Sequence, residues 1–116
     1  MDIRKYDIVQ ADLGNITIGS EQGGKRPVLV VQNDRGNFFS TTTIVIPLSS
    51  KIKSLHQPTH TLIHKSNDTG LKTDSILLGE QMRVISSKRI IRKIGSVTDE
   101  NERKEIRRVY EANFGE

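Results

Sequence analysis

Short apolar runs alternate with breaks that contain glycine, asparagine or aspartate over most of the chain, the pattern of a protein built from short strands. Turns are predicted at 34–37 and 67–70. Pro47 places the end of its strand near a sheet edge or bulge. Segment 86–97 is ambiguous and fits a helical turn followed by a strand. The strands are predicted at 6–11, 27–33, 42–48, 59–65, 73–79 and 81–85.

The C-terminal segment has a helical pattern from residue 99 to about 113. Thr98 is predicted as its N-cap, and Gly115 can end it. Acidic residues come early and basic residues late, the favourable order for the helix dipole. The predicted apolar stripe comprises Ile106, Val109, Tyr110 and Phe114. Strands followed by one helix predict a mostly β (α+β) fold, a small antiparallel sheet or partly open barrel.

A long loop at 12–25 contains four glycines, which is unusual in a small domain and suggests a functional loop. It includes Gly23 and Gly24, which allow the backbone to approach a ligand closely. Pro27 fixes the chain where the next strand begins, so Arg26 stands at a rigid strand entrance. A common turn with a solvated Arg26 is an equally good interpretation of these residues alone.

The hairpin between the second and third strands supplies a geometric argument. A turn centred at 37–38 pairs residues whose numbers sum to about 75, which places Asn33 opposite Thr42 and Arg26 opposite Ser49. A guanidinium beside a hydroxyl, under a glycine-rich loop, is suited to bind phosphate. We therefore predict a phosphate site at the open end of this hairpin.

Composition narrows the class of protein. The 116 residues fit a single domain spanning 1–116, with 34% hydrophobic, 28% charged and only 4% aromatic residues. The net charge of +4 favours a polyanionic partner, although it is also an ordinary aid to solubility. Without cysteine, a long apolar run or an apolar N-terminus, we expect no membrane segment or signal peptide, and a cytoplasmic location.

Three histidines recur every four residues, at His56, His60 and His64. Pro58 and the β-type residues between 59 and 65 argue against a helix that would stack them, so they are interpreted as surface or loop residues. No metal site is predicted.

RNA is the substrate that such a phosphate site suits best. Its 2′-OH can attack the neighbouring phosphate, so the protein needs only to stabilise developing charge and manage two proton transfers. DNA lacks this hydroxyl and would be inert by the same route. The chemistry needs neither a metal nor another cofactor.

The run from Gly19 to Asp34, Gly-Ser-Glu-Gln-Gly-Gly-Lys-Arg-Pro-Val-Leu-Val-Val-Gln-Asn-Asp, resembles the MazF/PemK (Kid) family of ribonuclease toxins, in particular its Gram-positive branch. The similarity continues through residues 58–60 and 74–85. It implies an SH3-like barrel with a C-terminal helix, a homodimer, single-stranded RNA as substrate, and inhibition by a MazE-like antitoxin.

The resemblance also implies site residues. The family's catalytic arginine falls on Arg26 and its catalytic threonine on Ser49, a departure that keeps the hydroxyl. Glu21 is a candidate general base, or a salt-bridge partner of Lys25. Two further departures are Tyr6, where glycine is usual, and Met82. The residues expected to contact RNA are Ser20, Gln22, Gly23, Asn33, Glu80 and Gln81.

Two alternatives remain open. A non-catalytic toxin of related fold, which poisons a protein target such as gyrase, would not need the pair of Arg26 and Ser49. A plain RNA-binding barrel would usually display more stacking aromatic residues than this chain contains.

Overall fold

The computed structural model describes residues 2–52 and 55–115. Within these ranges, no helix is long and apolar enough to cross a membrane. Short 3₁₀ turns at Gly79–Gln81 and Ser87–Arg89 precede the last two strands. The strands are β1 (Asp7–Asp12), β2 (Lys25–Val30), β3 (Thr42–Ser49), β4 (His60–Ile63), β5 (Ser75–Leu78), β6 (Arg83–Ser86) and β7 (Ile90–Ser96), and the helices are α1 (Asp34–Phe39) and α2 (Glu100–Glu111).

The strands form one bent antiparallel sheet in the order β4-β5-β3-β2-β1-β7, and β6 also pairs with β3. β3 changes partner along its length, pairing with β6 over Thr42–Val45 and with β5 at Leu48 and Ser49. Pro47 lies between these two stretches, which agrees with the predicted edge or bulge. The chain extends nearly equally in all directions, 35 × 34 × 34 Å, because the sheet wraps around its core. The predicted mostly β fold with a C-terminal helix is confirmed.

The predicted register of the hairpin is confirmed. β2 and β3 pair Val28 with Pro47 and Val30 with Val45, and both pairs sum to 75. Side chains alternate between the two faces of a sheet, so a given register determines which residues of the two strands lie opposite each other. The same register can be continued beyond the pair of Val28 and Pro47. Continuing it by two residues brings Arg26 opposite Ser49.

Alternate residues of the central strands enter two separate apolar clusters. Ile8 and Leu29 face the cluster beneath α2, whereas Val9 and Val28 face a smaller cluster on the other side of the sheet. Both faces of these strands are therefore buried, as the apolar run at 27–31 indicates. This two-sided burial makes β1 and β2 a rigid support for residues at their ends.

Helix α2 packs on the larger cluster through Ile106 and Val109, both fully buried. The prediction for Phe114 is wrong, since its side chain is 74% exposed beyond the end of the helix. The N-cap is Asp99 rather than Thr98: the Asp99 carboxylate accepts a hydrogen bond from the Glu102 amide at 3.0 Å. The Thr98 hydroxyl instead donates to Asp68 at 2.7 Å.

The predicted turn at 34–37 is a short helix, α1. Asn33 caps it by accepting a hydrogen bond from the Gly36 amide at 2.8 Å. The buried Asn37 side chain bonds the Gln32 carbonyl and the Thr43 hydroxyl, so α1 is fastened to the sheet at each end of the hairpin connection. Asparagine, aspartate and glycine signal either a turn or a helix start, and the buried Asn37 decides between them.

Tyr6 adopts a positive φ of 76°, which explains why glycine is usual at this position in the family that the sequence resembles. The tyrosine ring is buried beneath the Arg103 guanidinium, 4.5 Å from the ring centre, and its hydroxyl accepts a hydrogen bond from Arg107. These contacts to α2 offset the backbone strain, which costs on the order of 1 kcal/mol.

Candidate active site

A cleft of about 790 Å³ opens at the end of the β2–β3 hairpin where Arg26 and Ser49 lie. Both residues line it, together with Gln22 and Pro27. Among its described lining residues there are five cations and no carboxylate. The cations are Lys25, Arg26, Lys51, Lys72 and Arg92. A concave surface with one sign of charge focuses an electrostatic field, so this cleft is suited to an anion such as a nucleic-acid phosphate.

The Arg26 guanidinium has one nitrogen that is hydrogen-bonded to the protein and two that the described residues leave available. Its Nε donates to the Gly23 carbonyl at 3.0 Å, which fixes the plane of the half-buried guanidinium. The two terminal nitrogens have no hydrogen-bond partner within residues 2–52 and 55–115. They are donors in a fixed fork and available to phosphate oxygens.

Ser49 lines the same cleft at the end of the neighbouring strand β3. Its Oγ accepts a hydrogen bond from the Lys51 amide at 3.2 Å, so the hydroxyl hydrogen remains available for donation to a ligand. Arg26 and Ser49 therefore line one cleft, each with hydrogen-bond donors directed to a ligand by its own local contacts.

The double glycine shapes the loop that approaches Arg26. A Cβ on Gly23 would collide with the Cγ2 atom of Thr17, and Gly24 has a positive φ of 72°. Gly24 also closes the base of the loop, since its amide donates to the Gly14 carbonyl at 2.7 Å. Residues with side chains would strain or block this arrangement, which presents the Gly23 carbonyl to Arg26.

A second cleft, of about 750 Å³, lies beside the first and shares Gln22 with it. It is mixed in character, with Glu21 and Glu80 opposite Arg83 and Arg89, and with Pro47 and Met82 as apolar surface. Ser20 and Gln81 also line it. Polar groups beside apolar surface suit a nucleic-acid base better than a phosphate.

Glu21 does not join the pair of Arg26 and Ser49 in the larger cleft. It lines the second cleft and a smaller hollow that it shares with Gly23 and Arg26. Its Oε1 accepts a hydrogen bond from the Ile18 amide at 2.7 Å, so it stabilises the loop. Within the described part of the chain, no ion pair joins Glu21 to Lys25.

Glu80 and His60 form a partly buried pair. The Glu80 carboxylate accepts hydrogen bonds from the Thr59 hydroxyl and lies 2.9 Å from His60 Nε2. Partial burial tends to raise the pKa of Glu80, but the hydrogen bonds from His60, its own backbone amide and Thr59 together hold that pKa below its usual value. The interpretation of His60 as a surface or loop residue is wrong, since it is 8% exposed and begins β4.

Asn33 stands apart from the other candidates. It caps α1 at the far end of β2 from Arg26 and lines neither cleft. Its side-chain oxygen is occupied by the Gly36 amide, while its amide nitrogen has no partner that the described residues provide. The structure gives Asn33 a structural role and does not bring it to the site.

Sequence reasoning did not single out Lys51, Lys72 and Arg92, which complete the cationic cleft. Lys51 follows β3, Lys72 lies in the segment before β5, and Arg92 belongs to β7. The pairing of Arg92 with Gln10 of β1 brings Arg92 to the cleft. The three residues are far apart in the sequence and belong to no common motif, so only the net positive charge indicated them. Among the described residues no group of three or more His, Asp and Glu could hold a metal ion.

The comparison with known families gives the class of protein to which this fold and cleft belong. Residues 4–111 match the family described as PemK-like, MazF-like toxin of type II toxin–antitoxin system, and the chain belongs to this family. The resemblance inferred from the motif around Arg26 is thereby confirmed.

Individual relatives agree with this assignment. Endoribonuclease EndoA of Bacillus subtilis is 44% identical over 100 residues, which cover 86% of this chain and 84% of that protein. The fold is similar to MazF from Deinococcus radiodurans, with a TM-score of 0.77, 18% identity, and coverage of 98% of this chain and 97% of that one. It is also similar to a mycobacterial endoribonuclease solved with its cognate antitoxin, with a TM-score of 0.76, 17% identity, and coverage of 97% and 95%.

Proposed function

We propose that this protein is the endoribonuclease toxin of a type II toxin–antitoxin system, and that it cleaves single-stranded RNA in the cleft between Arg26 and Ser49. Family membership supports the class, and the named activity of the Bacillus subtilis relative supports the reaction. The observation that carries the proposal is the Arg26 guanidinium, fixed through Nε and free at both terminal nitrogens, in a cleft lined by five cations.

The reaction begins with attack of the RNA 2′-oxygen on the adjacent phosphorus. The bond from phosphorus to the 5′-oxygen then breaks, leaving a 2′,3′-cyclic phosphate and a 5′-hydroxyl. The substrate supplies the nucleophile, so no metal-bound water is required, and the lining of the cleft offers cations rather than the carboxylates that divalent metals prefer. Arg26 binds the non-bridging oxygens, where negative charge grows in the transition state.

Ser49 donates a second hydrogen bond to the same phosphate. One proton must leave the 2′-hydroxyl and one must reach the departing 5′-oxygen. Glu21 is the candidate base: its Oε1 accepts the hydrogen bond from the Ile18 amide, and its second carboxylate oxygen can accept the proton.

Sequence preference comes from the second cleft. Ser20, Gln22 and Glu80 are polar residues at its surface, beside the apolar Pro47 and Met82. They can receive unstacked bases whose hydrogen-bonding edges are exposed, as in single strands. Each phosphate contact adds about −0.7 to the slope of log affinity against log salt, so five cations set a limit of about −3.5.

Membership of the family also bears on the oligomeric state of the protein, its protein partner and its location in the cell. We propose that the toxin is a cytoplasmic homodimer and that a MazE-like antitoxin covers its RNA groove, as the mycobacterial complex with a cognate antitoxin suggests. Sedimentation should find a dimer at micromolar concentration. A monomer with full activity would contradict this part of the proposal.

One experiment tests the reaction. The purified protein is incubated with a long unstructured RNA in EDTA, and the ends of the fragments are mapped. We expect cuts at a short recurring motif, with 5′-hydroxyl and cyclic phosphate ends, and no cutting of the same motif within a duplex. Loss of cleavage in EDTA, or 5′-phosphate ends, would refute the proposed chemistry.

A further inference from the structure

Residues 15–22 of the glycine-rich loop are hydrogen-bonded to the rest of the described protein through one side chain. Gln81 Oε1 accepts a hydrogen bond from the Gln22 amide at 2.8 Å, and Gln81 Nε2 donates to the Ser20 carbonyl at 2.7 Å. Across the part of the chain that the structure describes, these are the hydrogen bonds that join residues 15–22 to anything outside the loop. The remaining loop contacts are internal, such as the bond from Ile18 to Glu21.

Gln81 itself is firmly mounted. It ends the 3₁₀ turn Gly79–Gln81, in which the Gly79 amide donates to the Thr59 carbonyl and the Gly79 carbonyl accepts from the Asn113 side chain, both at 2.8 Å. Glu80 holds the same turn to His60 and Thr59. The turn is thus fixed to the segment before β4 and to the end of α2, and Gln81 projects from it as a rigid support.

The contacts continue from Gln81 to the reactive group. Gln81 fixes the Gln22 amide, the next residue presents the Gly23 carbonyl, and that carbonyl orients Arg26 through its Nε at 3.0 Å. If the loop moves away, the Gly23 carbonyl moves with it. The hydrogen bond from Arg26 Nε is then lost, and the plane of the guanidinium is less well fixed. Preorganised donors stabilise a transition state because they need no rearrangement during the reaction.

We propose that Gln81 is a positioning residue that holds the glycine-rich loop over the cleft before RNA arrives, and that it acts on catalysis through Gly23 and Arg26. This differs from the role of a base-contacting residue implied by the family resemblance. Both polar atoms of its amide are already used by backbone groups of Ser20 and Gln22. The side chains of Ser20 and Gln22 remain available to the substrate.

The test uses Gln81→Met, which keeps the length of the side chain but removes both hydrogen bonds. Gln57→Met is the matched control, because Gln57 is exposed and its backbone carbonyl makes its hydrogen bond, to the His60 amide. In the RNA-free protein, we expect hydrogen exchange at the Gln22 amide to rise at least about fivefold in Gln81→Met and to stay unchanged in the control. Exchange at the buried Val30 amide should stay the same in both variants, which shows that the fold is intact.

The second measurement is cleavage by the same variants, and this arm depends on the proposed function. We expect kcat to fall about 10-fold or more in Gln81→Met, with the preferred RNA motif unchanged, because Arg26 loses order while base contacts remain. Unchanged exchange at Gln22 would refute the positioning role, as would a changed RNA motif with unchanged kcat. Wild-type protein that does not cleave RNA would instead refute the proposed function, and the exchange result would still decide the role of Gln81.

Discussion

Arg26→Ala is the substitution that most directly tests the proposed site. The alanine removes both terminal nitrogens, which no described protein group occupies, and the hydrogen bond from Nε to Gly23. Loss of one preorganised transition-state donor typically lowers kcat about 10²- to 10³-fold, and a fork that contributes two donors places the expected loss at the upper end. The structural loss is one hydrogen bond, worth about 0.5–1.5 kcal/mol, so the variant should remain folded.

Two further variants separate geometry from charge. Arg26→Lys keeps the positive charge but cannot hold Gly23 and offer a fork to phosphate at once, so its activity should lie between wild type and alanine. Arg92→Ala removes a cation from another wall of the same cleft. It should reduce cleavage several-fold at low salt, and the reduction should shrink as salt screens the charge.

The assay is single-turnover cleavage of a short fluorescent RNA that contains the mapped motif, at several salt concentrations. Circular dichroism and thermal unfolding verify that each variant is folded. If folded Arg26→Ala cleaves within about threefold of wild type, the assignment of the catalytic cleft is wrong. Equal losses of cleavage in Arg26→Ala and Arg92→Ala at every salt concentration would show that the cleft supplies only a positive electrostatic field. Arg26 would then not act as an oriented hydrogen-bond donor.

Two other predictions concern Ser49 and Glu80. Ser49→Ala should lower kcat less than Arg26→Ala, since a neutral hydroxyl donates a weaker hydrogen bond, whereas Ser49→Thr keeps the hydroxyl and should remain close to wild type in the same assay. An inactive Ser49→Thr would contradict a role limited to the hydroxyl. The lowered pKa of Glu80 means that its ionised form stabilises the fold above its usual pKa, near 4.5, and that this contribution is lost as pH falls through the lower folded value. Glu80→Gln should therefore flatten the acid side of the curve of melting temperature against pH, and an unchanged curve would refute this coupling.

Sequence reasoning succeeded where the cause was local. The alternation of apolar residues predicted the strands, and residue numbers that sum to 75 predicted the pairing of β2 with β3. That register was predicted from the position of the connection between the two strands, and it holds although the connection contains α1. The run from Gly19 to Asp34, with its continuation at 58–60 and 74–85, was specific enough to identify the family and to point to Arg26.

Sequence reasoning failed where local structure or burial depends on a contact with a residue distant in the sequence. Asn33 and the residues after it fit a turn or a helix equally well, and the buried hydrogen bond from Thr43 to Asn37 selects the helix. Likewise the sequence around His60 gives no sign that this residue is buried and that it contacts Glu80, twenty positions away. A pattern of neighbours in sequence contains no information on such partners.

The sequence by itself determined the class of fold, the strand register and the residue that leads the proposed chemistry, since each depends on periodicity or on a short motif. Only the tertiary structure decided which other groups surround that residue. Lys51, Lys72 and Arg92 meet Arg26 because the bent sheet brings separate strand ends together. Gln81 supports the loop from 59 residues farther along the chain, because the Gly79–Gln81 turn is packed between α2 and the segment before β4. Short-range pattern sets which elements form, whereas long-range packing sets which side chains share a site.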